Sequence, residues 1–94
     1  LMIDFSHANS SKEYKRQLDV ARNVAEQLAA GECRIVGVMV ESHLVEGRQN
    51  LMPNKPLEYG KSITDACVGW EDSVAILETL AQGVQSRRLI RADQ

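Results

Sequence analysis

The chain is 94 residues long and nearly balanced in charge, with 11 basic and 13 acidic side chains and a formal net charge of −2. This length suits one small domain or part of a larger one, and the charge balance does not favour nucleic acid or an anionic membrane as a partner. No apolar run approaches the roughly 20 residues of a membrane-spanning helix, and no secretory signal is visible. We therefore expect a cytoplasmic protein whose two cysteines, Cys33 and Cys67, stay reduced.

A short apolar run, LMIDF, opens the chain and predicts a buried strand over residues 1–6. Because the run starts at the first residue, we expect the sequence to be a segment cut from a longer protein. A histidine and several small polar residues follow it directly, in the stretch SHANS. The strand end is therefore a place to look for functional side chains.

The next segment predicts an amphipathic helix over residues 11–30. Its start, SSKE, fits a capping box in which Ser10 caps the helix and Glu13 reaches back to the cap. Apolar residues then recur at three- and four-residue spacing, namely Tyr14, Leu18, Ala21, Ala25 and Leu28. Gly31 is expected to close the helix as its C-terminal cap.

The clearest strand is the continuous apolar run RIVGVMV, which predicts a strand over residues 34–41. A run without polar alternation is typical of a strand buried on both faces in a parallel sheet. Prolines and glycines interrupt residues 42–70 and predict a long loop. Loops of this length are uncommon in compact domains unless they have a function or are disordered.

A second helix is predicted over residues 71–88. Its buried face is expected to carry Val74, Leu77, Leu80, Ala81 and Val84. Arg87 and Arg88 lie near its C-terminal end, where positive charge is favourable, and they are interpreted as a solvated helix end. The order strand, helix, strand, loop, helix predicts an α/β fold with two parallel βα units. A closed barrel of eight such units needs about 250 residues, so this chain cannot form one alone.

Three potential metal ligands occupy comparable places in this arrangement. His7 follows the first predicted strand, Glu41 ends the second, and Asp65 precedes the final helix. In parallel α/β folds, functional side chains gather at the carboxyl ends of the strands. One nitrogen and two carboxylates suit a divalent metal of the Mn, Fe, Co or Zn type and leave positions open for a substrate.

Each of these residues also fits an ordinary structural role. His7 fits a hydrogen-bonded loop residue, Glu41 the first solvated residue after a strand, and Asp65 a turn residue. Two rival ligands lie two residues from a candidate, His43 beside Glu41 and Cys67 beside Asp65. Spacing alone leaves these alternatives open.

Three motifs together resemble one enzyme family: DFSHANSSK, GVMVESHLVEG and YGKSITDACVGWED. In this order, and over residues 1–88, the sequence resembles the C-terminal part of the type I 3-deoxy-D-arabino-heptulosonate 7-phosphate (DAHP) synthases. The resemblance implies the last two βα units of a TIM (β/α)8 barrel, incomplete as a 94-residue chain. It implies that the complete enzyme condenses phosphoenolpyruvate with erythrose 4-phosphate, releasing phosphate, in the first step of aromatic amino-acid biosynthesis.

The resemblance also implies a divalent metal held by cysteine, histidine, glutamate and aspartate. The last three match His7, Glu41 and Asp65. The family's cysteine ligand lies upstream of the matching segment, so neither Cys33 nor Cys67 inherits that role.

The catalytic residues implied by the resemblance are His7 and Asp65. His7 is expected to assist proton transfer, and small neighbours such as Ala8 and Ser10 are expected to let it reach the metal. Asp65 is expected to contact a sugar hydroxyl or a coordinated water as well as the ion.

Two phosphorylated substrates require cationic side chains, and the candidates in this chain are Arg48 and Lys61. The family's phosphate-binding arginines and lysines come mainly from earlier strands, so we expect the isolated chain to be inactive. Open sheet edges and apolar helix faces predict self-association, and the complete enzyme is expected to be a homo-oligomer. The alternative function is a free-standing, non-catalytic metal-binding or interaction module derived from the barrel end.

Overall fold

The structure, a computed structural model, describes residues 1–7 and 13–92. Its elements are, in chain order, β1 (Met2–Asp4), α1 (Arg16–Ala29), β2 (Gly37–Met39) and α2 (Trp70–Ala92). This is the expected order, although both strands are shorter than the predicted ranges and α2 extends beyond residue 88. Within the described ranges, neither helix is long and apolar enough to cross a membrane.

The two strands form a parallel sheet in which Met2, Ile3 and Asp4 lie opposite Gly37, Val38 and Met39. Hydrogen bonds continue the pairing at both ends, from Val36 N to Leu1 O at 2.9 Å and from Phe5 N to Met39 O at 2.8 Å. Helix α1 is the crossover connection that a parallel pair requires. Because the strands run in the same direction, the residues that follow them emerge at one edge of the sheet.

Helix α1 begins at Arg16, so the prediction is wrong to include residues 13–15 in the helix, and its start at residue 11 lies outside the described residues. Lys15 occupies the N-cap position without a capping side-chain hydrogen bond, and Glu13 forms an ion pair with Arg16 at 2.8 Å. The first helical N–H groups bond three residues back, from Arg16 N to Glu13 O and from Gln17 N to Tyr14 O, which is the tighter turn common at helix ends. Ala8 and the predicted cap, Ser10, lie outside the described residues.

The C-terminal end of α1 is closed at Gly31, as predicted. Gly31 has a φ of +102°, a conformation that glycine adopts without steric penalty. Its N–H donates to Leu28 O at 3.0 Å, and the N–H of Glu32 donates to Gln27 O at 3.0 Å. These two bonds form a Schellman motif, which satisfies the carbonyls at the helix end.

The hydrophobic core lies between the two helices and one face of the sheet. It is formed by Phe5, Ala21, Val24, Leu28, Ile35, Val68 and Ile76. The helices approach each other closely at Gly83, where a Cβ would lie 2.9 Å from Ala25 O and 3.3 Å from Ala25 Cβ. This contact leaves no room for a larger residue unless the backbone moves.

The side of α2 that packs on the core differs from the predicted one. The packed side carries Ile76, Leu80, Gly83 and Val84. Leu77 is 67% exposed, and Val74 and Ala81 are also exposed, so these three assignments are wrong. Apolar residues occur on several sides of α2, and periodicity alone therefore does not identify the side that faces the core.

The Arg87 side chain is not the solvated group that its position predicts. Its Nη1 donates to Glu32 O at 3.1 Å and to Ile35 O at 3.2 Å, which joins α2 to the segment between α1 and β2. Arg88 is exposed, as predicted, and Arg91 is the basic residue of the last turn.

One face of the sheet is open in this chain, contrary to the prediction that the second strand is buried on both faces. Ile3 and Val38 lie opposite each other in the register and pack against the core. Met2, on the other face of β1, is 68% exposed. The strands therefore have a covered face, which packs on the helices, and an uncovered apolar face.

Candidate metal centre

His7 follows the bend at Phe5 and Ser6, directly after β1. Phe5 is fully buried and anchors the end of the strand, and Asp4 Oδ1 accepts a hydrogen bond from Ser6 N at 2.8 Å. His7 then adopts a φ of +37°, a conformation that costs energy for a residue with a side chain. The turn brings the imidazole to the edge of the sheet at which β2 also ends.

The two ring nitrogens of His7 face different carboxylates. Nδ1 lies 2.8 Å from Asp4 Oδ2, whereas Nε2 lies 3.1 Å from Glu41 Oε1 and 3.6 Å from Asp65 Oδ2. The hydrogen bond with Asp4 is the main cause that raises the pKa of His7, and the charges of all three carboxylates add to it. The same hydrogen bond lowers the pKa of Asp4. Without a metal, the imidazolium is therefore favoured by its neighbours.

Glu41 follows β2, and its backbone is held by a side chain of α1. Gln17 is fully buried, and its Oε1 accepts a hydrogen bond from Glu41 N at 2.8 Å while its Nε2 donates to Glu41 O at 3.0 Å. The Glu41 side chain is only 16% exposed. Its carboxylate therefore lies against the protein, beside the imidazole of His7.

Asp65 comes from the long loop, which is organised by backbone pairing and side-chain hydrogen bonds. Isolated pairings join Ser42 to Val68, Gly47 to Cys67 and Arg48 to Ser62. Val68 N donates to Glu41 O at 3.0 Å, which attaches the returning arm of the loop to the end of β2. The Asp65 side chain is 68% exposed, so it is the most accessible of the three potential ligands.

The donor atoms of His7, Glu41 and Asp65 lie close enough together to share one ion. One potential ligand atom from each residue lies within 4.8 Å of the others. Because nitrogen and oxygen ligands lie about 2.0–2.2 Å from zinc, the distances of 3.1 and 3.6 Å from His7 Nε2 fit two ligands of the same ion. In the neutral imidazole, Nδ1–H donates a hydrogen bond to Asp4 Oδ2, and the lone pair of Nε2 then faces the cluster. The residues present therefore fit a divalent metal.

The two rival ligands are not part of this cluster in the described part of the chain. His43 Nδ1 accepts a hydrogen bond from Leu44 N at 2.8 Å. Cys67 is buried, and its Sγ donates to Asp65 O at 3.4 Å. Burial raises the pKa of the Cys67 thiol, which disfavours the thiolate that binds metals.

Sequence reasoning missed two residues of this site, Asp4 and Gln17. Asp4 lies within the run LMIDF that predicts the first strand, although a carboxylate close to a ligand histidine is a common orienting partner. Gln17 lies on the side of α1 that carries Ala21 and Val24, both buried. A polar residue on an otherwise apolar helix side was the available signal.

The two candidate phosphate-binding cations are engaged in contacts within the loop. Arg48 Nε donates to Thr64 O at 2.7 Å, and Lys61 Nζ lies 3.2 Å from Glu58 Oε2. In this structure both side chains therefore stabilise the loop that carries Asp65.

Comparison with known proteins gives a consistent set of relatives. The family model of the DAHP synthetase I family matches residues 1–78. The Phe-sensitive phospho-2-dehydro-3-deoxyheptonate aldolase of Escherichia coli (strain K12) is 64% identical over 88 residues, covering 94% of this chain and 25% of the relative. The phospho-2-dehydro-3-deoxyheptonate aldolase of Haemophilus influenzae is 60% identical over 88 residues, covering 94% and 24%.

A solved structure is similar over nearly the same part of the chain. The phospho-2-dehydro-3-deoxyheptonate aldolase from Francisella tularensis SCHU S4 matches with a TM-score of 0.85 and 48% identity. The match covers 92% of this chain and 25% of that one. The chain therefore spans about a quarter of the length of the relatives that it matches.

Replacing Asp4 with asparagine should lower the pKa of His7, because the hydrogen bond to the Asp4 carboxylate is the main cause that raises it. A negative partner favours the imidazolium, whereas a neutral amide does not. In an NMR titration of the metal-free chain, the His7 ring signals should therefore titrate at lower pH in Asp4→Asn than in the unsubstituted chain.

Because the pKa of His7 is raised on folding, its contribution to stability is present below the unfolded-state pKa and is lost as the pH rises through the folded-state value. An unchanged His7 titration in a folded Asp4→Asn chain would contradict the role of this hydrogen bond.

Proposed function

We propose, because this chain belongs to the DAHP synthetase I family, that it is the C-terminal part of a DAHP synthase. In that enzyme it would form the last two βα units of a TIM (β/α)8 barrel. The observation that carries the proposal is the convergence of His7, Glu41 and Asp65 where the two parallel strands end. Enzymes with this barrel hold their active sites at that end of the strands.

The proposed reaction joins C3 of phosphoenolpyruvate to the aldehyde carbon of erythrose 4-phosphate. Water adds at C2 of phosphoenolpyruvate, and phosphate leaves by cleavage of its C–O bond, which gives DAHP and phosphate. This assignment is supported by relatives named phospho-2-dehydro-3-deoxyheptonate aldolase, among them one that is 64% identical to this chain over 88 residues.

The proposed cofactor is a divalent ion of the Mn, Fe, Co or Zn type held by His7, Glu41 and Asp65. When bound, such an ion supplies Lewis-acid polarisation of the aldehyde and orients a reacting water. Glu41 supplies a negative charge from a sheltered position, 16% exposed. Desolvation of that carboxylate strengthens its attraction for a cation relative to an exposed carboxylate.

His7 and Asp65 are the proposed catalytic residues. His7 keeps a proton on Nδ1, shared with Asp4 Oδ2 at 2.8 Å, so that Nε2 remains available to the cluster. Asp65 is 68% exposed and therefore accessible to a substrate that enters from solvent. We assign to it the contact with a sugar hydroxyl of erythrose 4-phosphate.

A chimeric enzyme tests the proposed reaction. The matching 88 residues of the E. coli Phe-sensitive relative are replaced by those of this chain. The chimera should release phosphate from phosphoenolpyruvate when erythrose 4-phosphate and Mn²⁺ are present, whereas the isolated chain should be inactive. Within the chimera, His7→Ala and Glu41→Gln should each lower kcat by more than roughly 100-fold. Substituting a residue that only orients a ligand typically costs about 10- to 100-fold.

The matched control is His43→Ala, which removes an imidazole close to Glu41 in sequence but outside the cluster. This chimera should keep most of its activity. Unchanged activity and metal content in His7→Ala would contradict the proposed function. A folded, inactive chimera that still binds Mn²⁺ would instead favour the non-catalytic metal-binding module.

The isolated chain is also proposed to self-associate through the apolar surface that it leaves uncovered. Large exposed apolar side chains include Leu1, Met2, Val36, Leu77 and Leu89. In the described part of the chain, no third strand pairs with either edge of the two-stranded sheet. Open strand edges favour association.

Light scattering should give a mass above 10.5 kDa that rises with concentration. Val36→Lys should lower that mass, and a constant monomer mass in the unsubstituted chain would contradict the proposal.

A further inference from the structure

We infer that Gln17 is a positioning residue of the candidate metal centre, which fixes Glu41 and, through Glu41, the loop that carries Asp65. The inference rests on the proposed function, because it concerns the ion that these carboxylates would share. It adds to that function a residue of α1, outside the three motifs that carry the family resemblance.

Gln17 is a buried polar side chain whose hydrogen-bonding groups are both used on a single residue. Its amide is fully buried, and burying an amide is costly unless it is hydrogen-bonded. Glu41 N donates to its Oε1 at 2.8 Å, and its Nε2 donates to Glu41 O at 3.0 Å. The planar amide thus pairs with the N–H and C=O of Glu41 as a neighbouring strand would.

This pairing begins where the sheet ends. The register of β1 and β2 stops at Asp4 opposite Met39, and the last bond between the two segments runs from Phe5 N to Met39 O. The chain then turns away at His7, which has a positive φ. Gln17 therefore replaces the strand partner at Glu41, two residues beyond the last paired position.

The carbonyl of Glu41 also connects the site to the long loop. It accepts hydrogen bonds from Gln17 Nε2 and from Val68 N, both at 3.0 Å, which uses both of its lone pairs. Val68 lies three residues after Asp65. A shift of the Glu41 backbone would therefore displace two of the three potential ligands together.

A residue that only fills space at this position could be apolar, like Ala21 and Val24 on the same side of α1. The amide instead matches the backbone of a candidate ligand, so its removal should affect metal binding beyond any loss of packing. Ligand-orienting contacts of this kind typically change metal affinity by about 10- to 100-fold. We expect a loss of that size when both hydrogen bonds are removed.

The test uses this chain with Mn²⁺ alone as the probe. Gln17→Met keeps the approximate length of the side chain and removes both hydrogen bonds. Electron paramagnetic resonance should show Mn²⁺ binding weakened by roughly 10- to 100-fold. Without metal, hydrogen exchange at the Glu41 amide should be faster, because this N–H has lost its acceptor.

Two further variants separate positioning from packing. Val24→Ala opens a cavity in the same helix without touching a polar contact, so it should lower stability and leave Mn²⁺ affinity unchanged. Gln17→Leu also removes both hydrogen bonds and keeps an apolar side chain of similar size in the buried position. It should weaken Mn²⁺ binding as Gln17→Met does, and it replaces that variant if Gln17→Met does not fold.

Equal Mn²⁺ affinity in the unsubstituted chain and in the folded Gln17 variants would overturn the inference, even with the metal site intact. Faster exchange at Glu41 with weaker Mn²⁺ binding supports it. If the unsubstituted chain binds no Mn²⁺, the proposed metal centre fails in this chain. The amide exchange at Glu41 then still decides whether Gln17 holds that residue.

Discussion

The parallel pairing of β1 with β2 is the constraint on which the candidate site depends. Its register places Asp4 opposite Met39, so both segments leave the sheet at the same edge. His7 and Glu41 follow within a few residues, and their side chains come within 3.1 Å of each other. A shift of one residue in register would turn the side chains of one strand to the opposite face. The backbone hydrogen bonds of the sheet therefore place the His7 and Glu41 side chains next to each other.

Hydrogen bonds from polar side chains hold the potential ligands in place at this edge of the sheet. Asp4 accepts hydrogen bonds from Ser6 N and from the His7 ring, and so sets both the turn and the orientation of the imidazole. Gln17 pairs with the backbone of Glu41, whose N–H would be costly to bury unpaired. His7 and Glu41, the two potential ligands that follow the strands, thus each have a hydrogen-bonded partner that limits their movement. Such restriction is the condition for a preorganised site.

Local signals predicted the order of elements and the cap at Gly31, because hydrophobic spacing and glycine at a helix end act over a few residues. The three potential ligands could be predicted from their places beside the strands and from their motifs. Contacts distant in sequence could not. Gln17 meets a residue 24 positions away, and Arg87 bonds carbonyls 52 and 55 positions away. The core-facing side of α2 depends on the tight approach of Gly83 to Ala25, which the sequence of α2 alone does not contain.

The claim that three side chains hold one ion is tested most directly by anomalous X-ray diffraction from crystals of this chain grown with Mn²⁺. One anomalous peak is expected, in contact with His7 Nε2 and with carboxylate oxygens of Glu41 and Asp65, while His7 Nδ1 remains hydrogen-bonded to Asp4. Mn²⁺ bound elsewhere on the chain, with the His7, Glu41 and Asp65 side chains unchanged and no peak between them, would contradict the claim.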